Sequence, residues 1–170
     1  DPDSDRIERP DTEDFGPRLL RARPDSVDGY LGAFRVTVQD GEQTIDLCKG
    51  FGLDPSATFD LVVDLDRPAA IQRQKLPLGY FAPDDENELA GVLEGLPDLV
   101  GDFDKPRYFD YDPGLCVHGS RGQSGCTNCL DHCATEAIHS LGERIEVDPF
   151  LCLGCGSCAT ACPTGAITYT

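Results

Sequence analysis

The chain has 170 residues, with 31 acidic side chains against 14 basic ones and a formal net charge of −17. That balance argues against nucleic acid and anionic membrane as partners; it suits a protein that meets basic partners, or one from a salty habitat. No apolar run reaches the roughly 18 residues a spanning helix needs, and nothing has the shape of a signal peptide. The length allows one ordinary domain or two small ones, neither with a large core. There is no methionine, even at position 1, which predicts a processed or trimmed N-terminus. The final "GAITYT" stops on what reads as a strand, as expected of a piece of something longer.

In chain order, residues 1–27 are mostly charged, contain prolines and read as a flexible arm or linker. Residues 28–104 read as a small α+β domain. "YLGAFRVTV" (30–38) alternates around Phe34, Val36 and Val38, which predicts a strand. The "QDGEQ" turn leads to a second strand near Thr44–Leu47, making a hairpin. "TFDLVVDL" (58–65) is the most β-prone run, rich in branched residues and bounded by Pro55 and Pro68. "DDENELAGVLEGL" (84–96) opens with acidic residues suited to a helix N-terminus and sets Leu89, Val92, Leu93 and Leu96 on one face. These apolar residues read as core, and no catalytic constellation is found among them. Cys48 reads as a buried or free thiol.

From "DKPRYFDYDP" (104–113) onward the character changes to short strand-like pieces, glycines and cysteines. Of nine cysteines, eight lie between 116 and 162 in clusters with x2 and x3 spacing. Such spacings converge on one point, which suits a metal better than the scattered cysteines of a secreted disulfide scaffold. Bound thiolates require a reducing compartment during assembly, so the expected location is the cytoplasm. "CTNCLDHCATEAI" (126–138) and "CGSCATACPTGAI" (155–167) repeat at an offset of 29, with three cysteines, a Thr, an Ala and the final Ile coinciding. Two halves of this kind predict a pseudo-twofold arrangement, each half a strand, a cysteine loop, a short helix and a return strand. "AIHSLGERIEV" (137–147) reads as the joining hairpin.

The second half is complete. Cys152, Cys155, Cys158 and Cys162 form C-x2-C-x2-C-x3-C followed by Pro163, the bacterial ferredoxin run for [4Fe–4S] clusters. Gly154, Gly156 and Ser157 are small enough to let backbone amides turn towards the sulfurs. The region 105–170 therefore resembles two-cluster bacterial ferredoxins. The resemblance implies that Cys152, Cys155 and Cys158 hold one cluster together with Cys133. It implies likewise that Cys126, Cys129 and Cys162 hold the other, which still needs a fourth ligand.

In the first half Gln123 stands where the first cysteine belongs, and Cys116 lies seven residues too early. Closing a longer loop costs on the order of 0.6 kcal/mol per doubling of its length, so Cys116 is the leading candidate for the fourth ligand. A three-iron cluster on three cysteines, or ligation by His118, are the alternatives. A lone loop histidine is usually solvated, and His132 and His139 read as surface or supporting residues.

"DKPRY", "LCVHGSRGQSGCTNCLDHC" and "CGSCATACPTGAITY" together also resemble a group of bacterial ferredoxin-domain proteins with this displaced first cysteine. Members commonly accompany molybdenum- or tungsten-dependent formate dehydrogenases. The similarity spans residues 29–170, most firmly from 101, with Ala134 departing from the usual Pro.

The expectation is an electron-transfer protein of α+β class: a 2[4Fe–4S] domain at 105–170, preceded by the small domain and the arm. Acidic groups such as Asp131 and Glu136 should lower the potentials if near the clusters, and the extra loop should change the exposure of the first. The expected partner is a redox protein or enzyme subunit with a basic docking surface. Rivals are an electron-entry module of a larger redox enzyme and a structural protein with two four-cysteine zinc sites. No catalytic residue is expected.

Overall fold

In the computed structural model, which describes residues 22–119 and 125–170, the chain divides into two compact units. One comprises the described residues up to Gln72 with Pro77–Gly95; the other comprises Arg73–Leu76 with Leu96–Thr170. The part of the expected arm before residue 22 lies outside the described residues. Its last stretch is ordered: β1 (Arg23–Asp28) pairs antiparallel with β2 (Arg35–Asp40), which pairs with β3 (Gln43–Asp46). Charge and proline made β1 read as linker, yet Val27 is buried opposite Val36, and Ser26 Oγ meets Thr37 Oγ1 at 2.9 Å. Pro24 is tolerated because β1 is an edge strand, where a missing N–H matters least; the register shifts between Pro24 and Ser26.

The expected hairpin is present as β2 and β3, with Val38 opposite Ile45. Asp46 then caps the single-turn helix α1 (Leu47–Gly50), its carboxylate accepting the Cys48 N–H at 2.9 Å. Cys48 is a fully buried free thiol, and burial raises its pKa. The "TFDLVVDL" run yields little sheet. Phe59 bridges Phe34, and only β4 (Val62–Val63) pairs, in parallel, with β5 (Tyr80–Phe81). The reason is Asp64, which accepts N–H groups of Asp66 at 2.9 Å and Ala70 at 2.7 Å and so turns the chain out of the ladder. The Tyr80 hydroxyl also donates to Asp64. Burial, then this bond, push Tyr80 up to about 12; for Asp64, burial raises the pKa but the three donors outweigh it and hold it below normal. The core here is Val27, Phe34, Ile71 and Tyr80.

The acidic stretch forms α2 (Glu86–Gly95), running into a 3-10 turn at Leu96–Leu99. Asp85 caps it, accepting from Asn87 N–H at 2.8 Å and Glu88 N–H at 2.9 Å. No residue of α2 is buried, and Leu93 is 53% exposed, so the apolar face read from the sequence is only half covered.

In the second unit the order is β6 (Phe109–Tyr111), α3 (Asn128–Asp131), β7 (Ile138–Ser140), β8 (Ile145–Val147), α4 (Ser157–Ala161) and β9 (Ile167–Tyr169). β7 and β8 form the expected antiparallel hairpin, while β6 pairs antiparallel with β9, Tyr111 opposite Ile167. Each half of the repeat thus supplies a strand, a short helix and a strand. The buried core is thin: Phe109, Cys129, Ile138, Ile145 and Ile167, with cysteines packed around it. Among the described residues, no helix is long and apolar enough to cross a membrane.

Candidate functional site

Eight cysteines of the second unit divide four and four. Cys116, Cys126, Cys129 and Cys162 line one cavity, with Tyr111, His118 and Ile167 in its wall. Cys133, Cys152, Cys155 and Cys158 line a second, beside Tyr108 and Phe109. None of the nine cysteines forms a disulfide. In each half the three leading cysteines serve one cavity, closely spaced in the second half but with Cys116 set apart in the first, while the cysteine after x3 leaves for the other. Cys162 lines the cavity of the first-half cysteines, and Cys133 that of the second.

The crossing cysteines sit in matching loops. Cys133 Sγ accepts the Ala137 N–H at 3.3 Å and lies 3.5 Å from Thr135 Oγ1; Cys162 Sγ lies 3.6 Å from Thr164 Oγ1. The Thr shared by the two halves is therefore a sulfur partner, a role the sequence repeat displayed without explaining. At Cys162 burial raises the pKa, but donors from Ile167, Thr164 and Ala166 outweigh it and bring the thiol down to about 7. Ser157 lowers Cys155, with its Oγ 3.4 Å from the sulfur. Burial, followed by the nearby Cys116 and Cys126, pushes Cys129 up to about 11. Any metal there must displace its proton.

The second cavity depends on Gly154, whose φ of +69° is left-handed and whose missing Cβ would lie 2.7 Å from the Tyr108 ring. Lys105 donates to the Phe150 carbonyl, and burial lowers its pKa before the nearby Cys152 and Asp148 pull it back up.

His118 is not the solvated loop histidine the sequence suggested. It is 1% exposed, with Nδ1 2.7 Å from the Cys126 carbonyl oxygen and Nε2 2.7 Å from Ser140 Oγ. Both ring nitrogens are engaged. His132 and His139 are exposed, as read. Glu136 is not a bare acid beside the cysteines, because Arg73 Nε lies 2.8 Å from its carboxylate. Arg73 comes from a segment with no sequence pattern linking it to the cysteines.

The fit to an iron–sulfur group rests on the donor set and on Tyr111. Four thiols around a cavity match a cube with one thiolate at each of four iron corners. Among the described residues, no group of three or more Cys, His, Asp or Glu is so arranged as to hold a metal ion. The Tyr111 hydroxyl is buried in the first cavity's wall with no well-formed hydrogen bond. Burial, then the adjacent Cys116 thiol, push its pKa up to about 12. It stands in the cavity wall beside Cys116, a donor available to a sulfur acceptor.

Residues 145–168 match the family model of the 4Fe-4S binding domain. The chain is 35% identical over 42 residues to "Ferredoxin 7Fe" of Hydrogenibacillus schlegelii, which is 25% of this chain and 54% of that protein. It is 42% identical over 56 residues to "Hydrogenase-4 component A" of Escherichia coli (strain K12), covering 33% of this chain and 25% of that protein. The matched segments thus span about half of one relative and a quarter of the other. These matches place a 4Fe-4S binding domain at residues 145–168, near the C-terminus.

Proposed function

We propose that the C-terminal unit is a pseudo-twofold ferredoxin domain that holds two [4Fe–4S] clusters and relays single electrons to a partner oxidoreductase. Cys116, Cys126, Cys129 and Cys162 are the ligands in one cavity, and Cys152, Cys155, Cys158 and Cys133 in the other. The observation that carries this reading is the four-and-four division of eight unpaired thiols, with Cys133 and Cys162 exchanged between the cavities. A cluster bound there supplies one-electron reduction and reoxidation.

The chain's own groups set how readily that happens. Amides and hydroxyls at Cys133, Cys155 and Cys162 stabilise the thiolates, and the Tyr111 hydroxyl supplies a donor to the first cavity. Ile138, Ile145 and Ile167 keep water from the space between the cysteine loops. With so thin a core, ligation would also stabilise the fold of this unit.

The acidic surface suits a basic docking face on the partner. The rate of electron exchange with that partner should fall as ionic strength rises, and a rate flat from low to high salt would sink this element. The sequence resemblance makes a formate dehydrogenase the first partner to try, and the need for reduced thiols fits the cytoplasm. A second reading, an electron-entry subunit of a larger redox complex, draws on the hydrogenase-4 component A similarity.

The test is iron and acid-labile sulfide content of anaerobically prepared protein, with EPR before and after dithionite. Eight irons and eight sulfides are expected. Seven irons with a three-iron signal in the untreated protein would favour the arrangement that the name "Ferredoxin 7Fe" gives its relative. A colourless protein with zinc and no sulfide would overturn the reading.

A further inference from the structure

Nine residues separate Cys116 from Cys126, where the second half has two between Cys152 and Cys155. The structure pinches this excess off at its base. The Gly125 N–H donates to the His118 carbonyl at 2.5 Å, so the chain is back beside His118 at Gly125, seven residues on. The close approach uses the two glycines that flank the excursion. A Cβ on Gly119 would lie 2.0 Å from the Glu143 carbonyl oxygen, and one on Gly125 would lie 2.4 Å from that of Val117. The closure between His118 and Gly125 shortens the bonded path between the two cysteines to Val117, His118 and Gly125. The effective spacing is x3, one more than in the second half.

His118 fastens this neck from both sides. Its main-chain oxygen takes the Gly125 N–H, and its ring takes the next residue, Cys126, by the carbonyl. A carbonyl can only accept, so Nδ1 carries the proton. Nε2 reaches Ser140 at the end of β7, which ties the neck to a rigid hairpin. The ring is 1% exposed and both its nitrogens are engaged, although Ser140 itself lies at the surface.

We infer that His118 is the positioning residue that makes the displaced Cys116 a usable ligand, by clamping the chain after Cys116 against Gly125–Cys126 and β7. It acts through Cys116 and Cys126 and binds no iron itself. The inference rests on the two-cluster reading above, and its test keeps the two separable.

Wild type, Cys116→Ser, His118→Ala, His118→Gln and Ser140→Ala would be prepared anaerobically as the full chain. Iron and sulfide content, EPR and the two midpoint potentials would be measured on each. Eight irons in wild type and seven with a three-iron signal in Cys116→Ser hold the two-cluster reading; no iron in wild type overturns that reading. On top of it, His118→Ala should move towards the Cys116→Ser pattern. His118→Gln, whose amide can donate to the Cys126 carbonyl, should restore the eighth iron. Ser140→Ala should shift only the first-cavity potential or raise a minor three-iron signal.

Wild-type iron, EPR and potentials in His118→Ala would overturn the inference while leaving the clusters untouched. If His118→Ala loses both clusters through misfolding, the Gln and Ser140 variants decide. Loss in Gln equal to that in Ala, together with an unchanged Ser140→Ala, overturns it. A purely packing role for the ring would give neither amide rescue nor a potential shift on removing one distant hydroxyl.

Discussion

In the second half of the repeat, Cys152 precedes Cys155 by x2, Pro163 follows Cys162, and Gly165 turns the chain into β9 at φ +69°. In the first half Cys116 stands seven residues early, Ala134 occupies the proline position, and Glu136 turns the chain into β7 at φ +54°. Each departure is matched by a contact the second half lacks. His118 and the glycine neck gather the excess before Cys126. The Ala134 carbonyl accepts the Lys75 N–H at 3.1 Å, and Arg73 pairs with Glu136. Lys75 and Arg73 belong to the short Arg73–Leu76 segment, which sits with the cysteine unit although its sequence neighbours belong to the other. Both halves use distant contacts, Lys105 and Tyr108 serving the second, but only the irregular half draws on the Arg73–Leu76 segment.

The crossing of Cys133 and Cys162 offers the largest test of that comparison. Cys162→Ser should damage the same cluster as Cys116→Ser, and Cys133→Ser the same one as Cys152→Ser. Each variant should lose about one iron, and EPR with potentiometry identifies which cluster is affected. If Cys133→Ser instead alters the signals that Cys116→Ser alters, the halves do not exchange ligands.

Smaller, but still sizeable, is the response to filling the glycines ahead of Cys126 and Cys155. A methyl on Gly154 meets the Tyr108 ring, which can swing aside, and it forces a left-handed alanine at roughly 1–2 kcal/mol. A methyl on Gly125 meets the Val117 carbonyl, a backbone atom with nowhere to rotate. Overpacking of this kind costs about 1–3 kcal/mol, and here it would open the neck as well. Gly125→Ala should therefore bleach the first cluster faster than Gly154→Ala bleaches the second, followed by loss of absorbance near 400 nm on warming. Equal rates would mean that the neck carries no special burden.

The second half was readable because its spacing is a local property: C-x2-C-x2-C-x3-C-P fixes which thiols gather without reference to distant residues. The β7–β8 hairpin was readable for the same reason. The supports of the first half were not, because a lone histidine in a glycine-rich stretch looks solvated until its burial is seen. Arg73 lies 63 residues from Glu136, and no pattern in the sequence joins them. In the N-terminal unit, β-branched residues made 58–65 look like a long strand, but Asp64 diverts the backbone by drawing nearby N–H groups to its side chain. Residues 23–28 failed the other way, since their charge hid the one buried valine that seats β1.

The finest distinction lies at position 136. A left-handed non-glycine costs roughly 1–2 kcal/mol, whereas its counterpart Gly165 adopts that turn freely. The Arg73 pair offsets part of this, but Glu136 is largely exposed, so the pair contributes at most about 0.2–1 kcal/mol. Glu136→Gly should therefore be neutral or slightly stabilising, since the strain removed is at least as large as the pair lost. Arg73→Gln leaves the strain, removes the pair and uncovers a carboxylate three residues from Cys133, so it should destabilise by a few tenths of a kcal/mol up to about 1. Because reduction adds negative charge, Arg73→Gln should also lower the midpoint potential of the cluster that Cys133 serves, by tens of millivolts or less, and leave the other in place. The two variants separate the roles cleanly: stability follows backbone strain, while the potential follows net charge. Glu136→Gly leaves Arg73 unpaired and should move that potential upward. Identical potentials in Arg73→Gln, Glu136→Gly and wild type would show that the ion pair only fastens the loop and does not tune the electron carrier beside it.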